Sequence, residues 1–152
     1  MFSDTADHWG REAIDLLVEK SIVKGYSSGP YEGMFLPDHP ATRAELLKMA
    51  FVASGRETIT NTLSYFEDID SEYWYYSYVN SAPLYDIIDG SKAYFYPNNS
   101  ITRAQAVKII VESFDFSDDP VFQNIMGSSF TDVSEFAWYR PHIEYFYIKG
   151  IV

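Results

Sequence analysis

Apolar residues recur at helical spacing in short blocks separated by polar and Gly/Pro-containing stretches. Between Asp7 and Glu19, Trp9, Ala13, Leu16 and Leu17 share one face of a 3.6-residue period, which predicts a helix. Its counterparts run from Tyr73 to Ile87 and from Trp138 to Lys149, and Pro83 is expected to kink or shorten the second copy. Each block runs into an apolar pair, Ile22-Val23, Ile87-Ile88 or Ile151-Val152, and Gly25 and Gly90 are expected to stop their helices in the left-handed conformation.

A second kind of block begins with a helix-start signal. Thr42 with Glu45, and Thr102 with Gln105, match the capping box, in which a hydroxyl and the third side chain of the helix satisfy each other's free amides. Ile101 and Ala106 add a weak hydrophobic staple to the second copy. Leu47, Ala50 and Phe51 then form the buried stripe of the first copy, and Val107, Ile110, Val111 and Phe114 that of the second. Linkers are expected from about Ser54 to Ser64 and from about Asp115 to Ser129. The pattern is all-α throughout.

The blocks are copies of one unit. Phe2-Ser3-Asp4 returns as Phe66-Glu67-Asp68 and Phe130-Thr131-Asp132, and Trp9 returns as Trp74 and Trp138. Phe35-Leu36-Pro37 before Thr42-Arg43-Ala44-Glu45 returns as Phe95-Tyr96-Pro97 before Thr102-Arg103-Ala104-Gln105. The first copy carries a longer loop between Gly25 and Phe35, with Gly29, Pro30 and Gly33 in it. Repeat one is assigned to residues 1–60, repeat two to 61–125, and a partial third to 126–152, together forming one compact domain.

Composition narrows the chemistry. The net charge of −11 disfavours an unspecific grip on nucleic acid or an anionic membrane, so an anionic ligand needs a few placed cations. No stretch reaches the ~20 apolar residues of a membrane span, and the opening residues carry no basic-then-apolar leader pattern. With 0 Cys, disulfides and thiolate metal sites are excluded. His8, His39 and His142 stand at unlike positions, and no metal or cofactor is expected. The 13 Tyr imply half-buried rings with wet hydroxyls, as on binding faces. No nucleophile motif, phosphate loop or metal triad points to an enzyme.

Phe-x-Asp, a following Trp, an apolar helix, Ile-Val-x-Gly-Tyr, Phe-x-Pro and Thr-Arg-Ala-Glu together resemble the S-layer homology domain. The resemblance rests on Phe2, Asp4, His8, Trp9, Ile22, Val23, Gly25, Tyr26, Phe35, Pro37 and Thr42 to Glu45, and it covers nearly the whole chain apart from the linkers. It implies helix-loop-helix repeats about a pseudo-threefold axis, with the Thr-Arg-Ala-Glu helices at the hub. It further implies non-covalent anchoring to a bacterial cell wall, outside the cell, through secondary cell-wall polysaccharide held in grooves between repeats, often by a pyruvylated amino sugar. On that resemblance Arg43 and Arg103 are the principal ligand residues. Groove walls follow from Asp4, Trp9 and Gly25, from Asp68, Trp74 and Gly90, and from Asp132, Trp138 and Gly150.

The residue chemistry suits such a ligand. A guanidinium holds a carboxylate through a planar fork, and an Arg just past an N-cap sits where helix amides favour an anion. From burial averages alone, Trp9, Trp74 and Trp138 are expected to pack in the core with an edge into a groove. Asp4, Asp68 and Asp132 are expected to cap or brace the first helix of each unit. Repeat three has no Thr-Arg-Ala-Glu helix, so a three-helix hub needs chain beyond Val152 or a second chain. The competing reading is therefore a protein-assembly module of a surface layer, completed by another copy or a further repeat segment.

Overall fold

The computed structural model describes residues 2–59 and 63–152. The first linker falls partly outside them, at residues 60–62. The described residues form helices and no strand, with one isolated bridge between Thr42 and Ser100. The chain divides into two compact units, residues 1–41 and 42–152, so the division falls inside the first repeat.

In the first unit, α1 spans Arg11–Glu19. It starts four residues later than Asp7, because the His8 ring accepts the Gly10 amide at 3.0 Å and holds a turn ahead of the helix. Trp9 lies in that turn and is 92% exposed, which corrects the expectation of a core tryptophan. The helix stops at Ser21, whose φ is +59°, and the Ile22 amide donates back to the Leu17 carbonyl at 2.9 Å. That six-to-one bond is the Schellman closure. Gly25 is left-handed too, but it serves a close approach: a Cβ there would stand 2.3 Å from the Phe2 ring. Asp4 does not cap α1. Its carboxylate accepts the amides of Phe35 at 3.0 Å and Leu36 at 2.7 Å, pinning the Phe-x-Pro loop.

The second unit contains α2 (Arg43–Ser54), α3 (Tyr76–Ser81), α4 (Arg103–Ser113), α5 (Pro120–Gln123) and α6 (Arg140–Ile148). Both capping boxes form as the sequence predicts. Pro83 acts as expected: the α-helix ends at Ser81 and a 3-10 turn over Ala82–Tyr85 replaces its remainder. The left-handed stop is Asp86, with the Ile87 amide donating to Ala82 at 3.0 Å. In the third copy the same bond runs from Ile151 to Phe146 at 2.8 Å across left-handed Gly150. Gly150 thus matches Ser21 and Asp86, and it precedes the apolar pair where Gly25 and Gly90 follow it. Gly90 is not left-handed, contrary to the prediction; a Cβ on it would come 2.9 Å from Pro83.

α4 lies against both α2 and α6 and therefore buries two faces. Ile109 joins Leu47, Phe51, Val79, Ile87 and Phe95 in the larger core, while Val107 and Val111 meet Tyr145 and Phe146 in the smaller one. Each fully buried Leu, Phe, Val or Ile contributes about 1.5–3 kcal/mol. Ile109 was missed because a single 3.6-residue stripe describes one face only, and Phe114, placed in that stripe, is 37% exposed. At the C-terminal end of α4 the Arg56 guanidinium donates to the carbonyls of Ser113 (2.8 Å) and Glu112 (3.3 Å) and pairs with Asp115.

Candidate functional site

The Thr42 box fixes the start of α2 and, one residue on, the origin of Arg43. The Thr42 hydroxyl accepts the Glu45 amide at 3.2 Å, and the Glu45 carboxylate accepts the Thr42 amide at 2.8 Å. The next two amides are also spent, with Arg43 donating to the Asn99 carbonyl and Ala44 to the Pro97 carbonyl, both at 3.0 Å. The helix start therefore aims no free first-turn amide at an anion, which corrects the expectation of amide assistance. Charge must come from side chains.

Arg43 is a built side chain. Its Nε donates to the Phe95 carbonyl at 2.9 Å, and its guanidinium carbon stands 4.7 Å from the centre of the Phe95 ring. Burial pulls its pKa below the ordinary value, and the Asp68 carboxylate pushes it back up. Asp68 accepts the amides of Phe95 at 2.9 Å and Tyr96 at 2.7 Å, so it holds the loop whose carbonyl orients Arg43. It has the same task as Asp4 in the first unit and does not cap α3.

Arg43 lines a pocket of about 460 Å³ in the second unit. Lys108 reaches it from α4 with its Nζ donating to the Ile87 carbonyl at 2.7 Å. Burial lowers the Lys108 pKa, against the raising effect of Glu112, Asp89 and Asp86. Lys92 and Asp89 face each other at 3.8 Å. The Ser91 hydroxyl and amide hold the Asp89 carboxyl below the usual range against the opposing effect of burial, with smaller help from Lys92 and Lys108. Phe66, Phe95, Ile88 and Ile109 form the apolar lining, Gln105 adds an amide, and Tyr94 and Trp138 stand at the exposed edge. Three of the lining side chains are cations and one is a carboxylate, in a protein of net charge −11. Such a site suits an anion with an apolar flank.

The sequence-predicted residues separate clearly. Arg43 and Trp138 line the pocket, Asp68 braces Arg43 from behind, and Gly90 sits beside the pocket residue Asp89. Arg103 opens α4 under an equivalent capping box, yet it is exposed and lies outside the pocket. Trp74 is 53% exposed with the Lys48 ammonium 5.5 Å over its ring, away from the pocket. Trp138 is 56% exposed, so none of the three tryptophans is a core residue. Asp132 is exposed. Asp4, Trp9 and Gly25 belong to the first unit, and Gly150 closes α6. Lys92, Lys108 and Tyr94 escaped the sequence reading. Lys108 had a signal, since Lys48 recurs at the same distance from its cap.

Comparison with known proteins adds the lineage of this arrangement. The sequence profile of the S-layer homology domain matches residues 2–47 and 65–107. Exoglucanase XynX of Acetivibrio thermocellus is 30% identical over 86% of this chain, which spans 12% of that enzyme. S-layer protein sap of Bacillus anthracis is 29% identical over 88% of this chain and 16% of its own length. A cellulosome-anchoring protein of Acetivibrio thermocellus is 29% identical over 75% of this chain and 26% of its own length. The chain thus corresponds to a small fraction of each relative.

Proposed function

The chain belongs to the S-layer homology family, and we propose that it holds a protein non-covalently on the bacterial cell wall by binding an acidic wall polysaccharide in the Arg43 pocket. Membership of that family and kinship with S-layer proteins put the chain at the cell surface, outside the cell, and support a role in anchoring. The observation that carries the polysaccharide reading is the concentration of Arg43, Lys92 and Lys108 around one cavity of an otherwise acidic protein. A sugar bearing a carboxylate, such as a pyruvyl ketal, offers the guanidinium a bidentate acceptor and offers Phe66, Ile88 and Trp138 its apolar face.

In this reading the chain is not itself catalytic. The segment is shared by relatives named as a glucanase, a surface-layer protein and an anchoring protein, so the common part is the one that does not depend on what the rest of each protein does. Arg43 and Lys108 are partly buried and only Lys92 is exposed, so moderate salt weakens but does not abolish binding. The test is sedimentation with isolated wall sacculi before and after removal of their secondary polymer. The wild-type chain should sediment only with the intact wall. Arg43→Ala should lose most of this retention, at least tenfold, as expected for loss of one partner of a charged hydrogen-bonded pair. Arg103→Ala should retain it. Equal retention on polymer-free peptidoglycan, or full retention of Arg43→Ala, would transfer the function to a protein-assembly module.

A further inference from the structure

Beside the pocket stands a second feature that the charged groups do not account for. Tyr94 lines the pocket edge, and Tyr96 is stacked on it with ring centres 5.8 Å apart and planes 30° apart. Both rings are about half exposed, at 47% and 55%, so the pair presents a broad aromatic face to water. The loop beneath it is clamped. Phe95 between them is buried, and Asp68 holds the Phe95 and Tyr96 amides. The Glu67 amide donates to the Ala93 carbonyl at 2.8 Å. Tyr96 sits at φ +60°, a left-handed conformation that non-glycine residues rarely adopt.

The face is particular to repeat two. The residues corresponding to Lys92, Tyr94 and Tyr96 in repeat one are Glu32, Met34 and Leu36. Leu36 is left-handed as well, at φ +59°, so the backbone is a property of the repeat and the tyrosines are a property of this copy. A cation and two exposed rings have replaced an acid and two aliphatic side chains at the rim of the pocket.

We propose that the Tyr94–Tyr96 face is a second subsite, which takes the apolar face of the sugar residue next to the acidic one held at Arg43. This rests on the anchoring reading above, and it adds that recognition covers at least two consecutive residues of the polymer. Exposed stacked rings on a clamped loop are pre-organised for a flat partner, and their continuity with the pocket fixes which partner that is. Tyrosine supplies contact area with few torsions to freeze.

The test uses two synthetic probes: the methyl glycoside of a pyruvyl-ketal N-acetylhexosamine, and a disaccharide that carries the same acidic residue followed by a second N-acetylhexosamine. Calorimetric affinities are measured on the whole chain. The wild type should bind the disaccharide about tenfold more tightly than the monosaccharide. Tyr96→Ala should erase that difference, weakening the disaccharide about tenfold and the monosaccharide less than twofold, while Tyr96→Phe keeps the wild-type pattern. Equal affinities of wild type and Tyr96→Ala for the disaccharide, with Arg43→Ala silencing both probes, would overturn the second subsite and leave the anchoring reading intact. Loss of both probes to the same degree in Tyr96→Ala would assign Tyr96 a merely structural role. Binding of neither probe to the wild type would overturn both readings together.

Discussion

Replacing Asp68 by Asn tests the claim that this carboxylate, 27 residues from its partner, holds the pocket loop. The carboxylate receives two amides, that of Phe95 at 2.9 Å in a part-buried position and that of Tyr96 at 2.7 Å in an exposed one. A hydrogen bond to a charged acceptor contributes about 1.5–3 kcal/mol, and a buried donor left without a partner costs about 1–3 kcal/mol. Asn keeps one oxygen and turns an NH₂ toward the second amide, so one bond is lost and two donors face each other. Counting the part-buried bond in full and discounting the exposed one for solvent gives a loss of about 2 kcal/mol. With a urea m-value of about 2 kcal/mol/M, the midpoint should fall by about 1 M at unchanged slope. The same loop carries the carbonyl that orients Arg43, so wall retention should fall as well at urea-free, fully folded conditions. A midpoint shifted by less than about 0.3 M would refute the clamp. A destabilised variant with undiminished wall retention would keep the clamp and refute the link from the loop to Arg43.

Two further substitutions read out other parts of the fold. Gly25→Ala combines a φ of +64° with a Cβ 2.3 Å from the Phe2 ring and 2.9 Å from the Met34 carbonyl, and should destabilise the first unit by about 2–4 kcal/mol. Gly150→Ala, at φ +70° with nothing within 4 Å, should cost only the left-handed strain of about 1–2 kcal/mol; equal losses in thermal unfolding would contradict the packing argument. The Glu112 carboxyl, in spite of burial, is held below its usual range by hydrogen bonds from His142 at 2.8 Å and Ser117 at 2.8 Å and by the Lys108 charge. A lowered folded-state pKa means that its stabilisation is complete above the ordinary carboxylate range and is lost as the pH falls through the folded value. Urea midpoints of wild type and Glu112→Gln should therefore differ at neutral pH and converge in acid, and a gap independent of pH would reject the charged form as the cause.

Helix starts and the proline break were legible in the chain, while the helix stops and the distant partners were not. The two capping boxes occupy four consecutive residues each, and Pro83 acts on its own turn, so neither depends on distant partners. The stops of α1 and α3 were misplaced onto Gly25 and Gly90 because glycine is the ordinary left-handed residue. Ser21 and Asp86 take that conformation instead, held by the bonds from Ile22 to Leu17 and from Ile87 to Ala82. The early Asp of each repeat looked like a helix cap beside the helix it precedes. In repeats one and two its partners are a loop about thirty residues on, which periodicity does not address. The tryptophans show the limit of averages: Trp is mostly buried across proteins, yet here each copy lies at an edge where one ring face is offered to solvent or to a pocket.

The same separation of local from non-local explains why, among the described residues, one of two nearly identical motifs carries a pocket and the other is solvated. Thr42-Arg43-Ala44-Glu45 and Thr102-Arg103-Ala104-Gln105 fold alike, each as a capped first turn. What makes Arg43 a pocket residue comes from elsewhere: the Phe95 carbonyl and ring, the Asp68 clamp behind them, and Lys108 across the cavity. For Arg103 the corresponding supplier would be a third Phe-x-Pro loop, and residues 126–152 contain none. The motif therefore specifies where the guanidinium starts, and the loop of the following repeat specifies what it can hold. On that basis grafting a repeat-two loop behind α4 should convert Arg103 from a solvated side chain into a second anion site. With two sites on one chain, wall retention should rise well beyond the sum of the two, as linked sites do when a single polymer can reach both. Retention that stays at the level of the Arg43 pocket, in a graft whose Arg103 has become buried against the new loop, would show that the cations around Arg43 matter more than the loop that orients it.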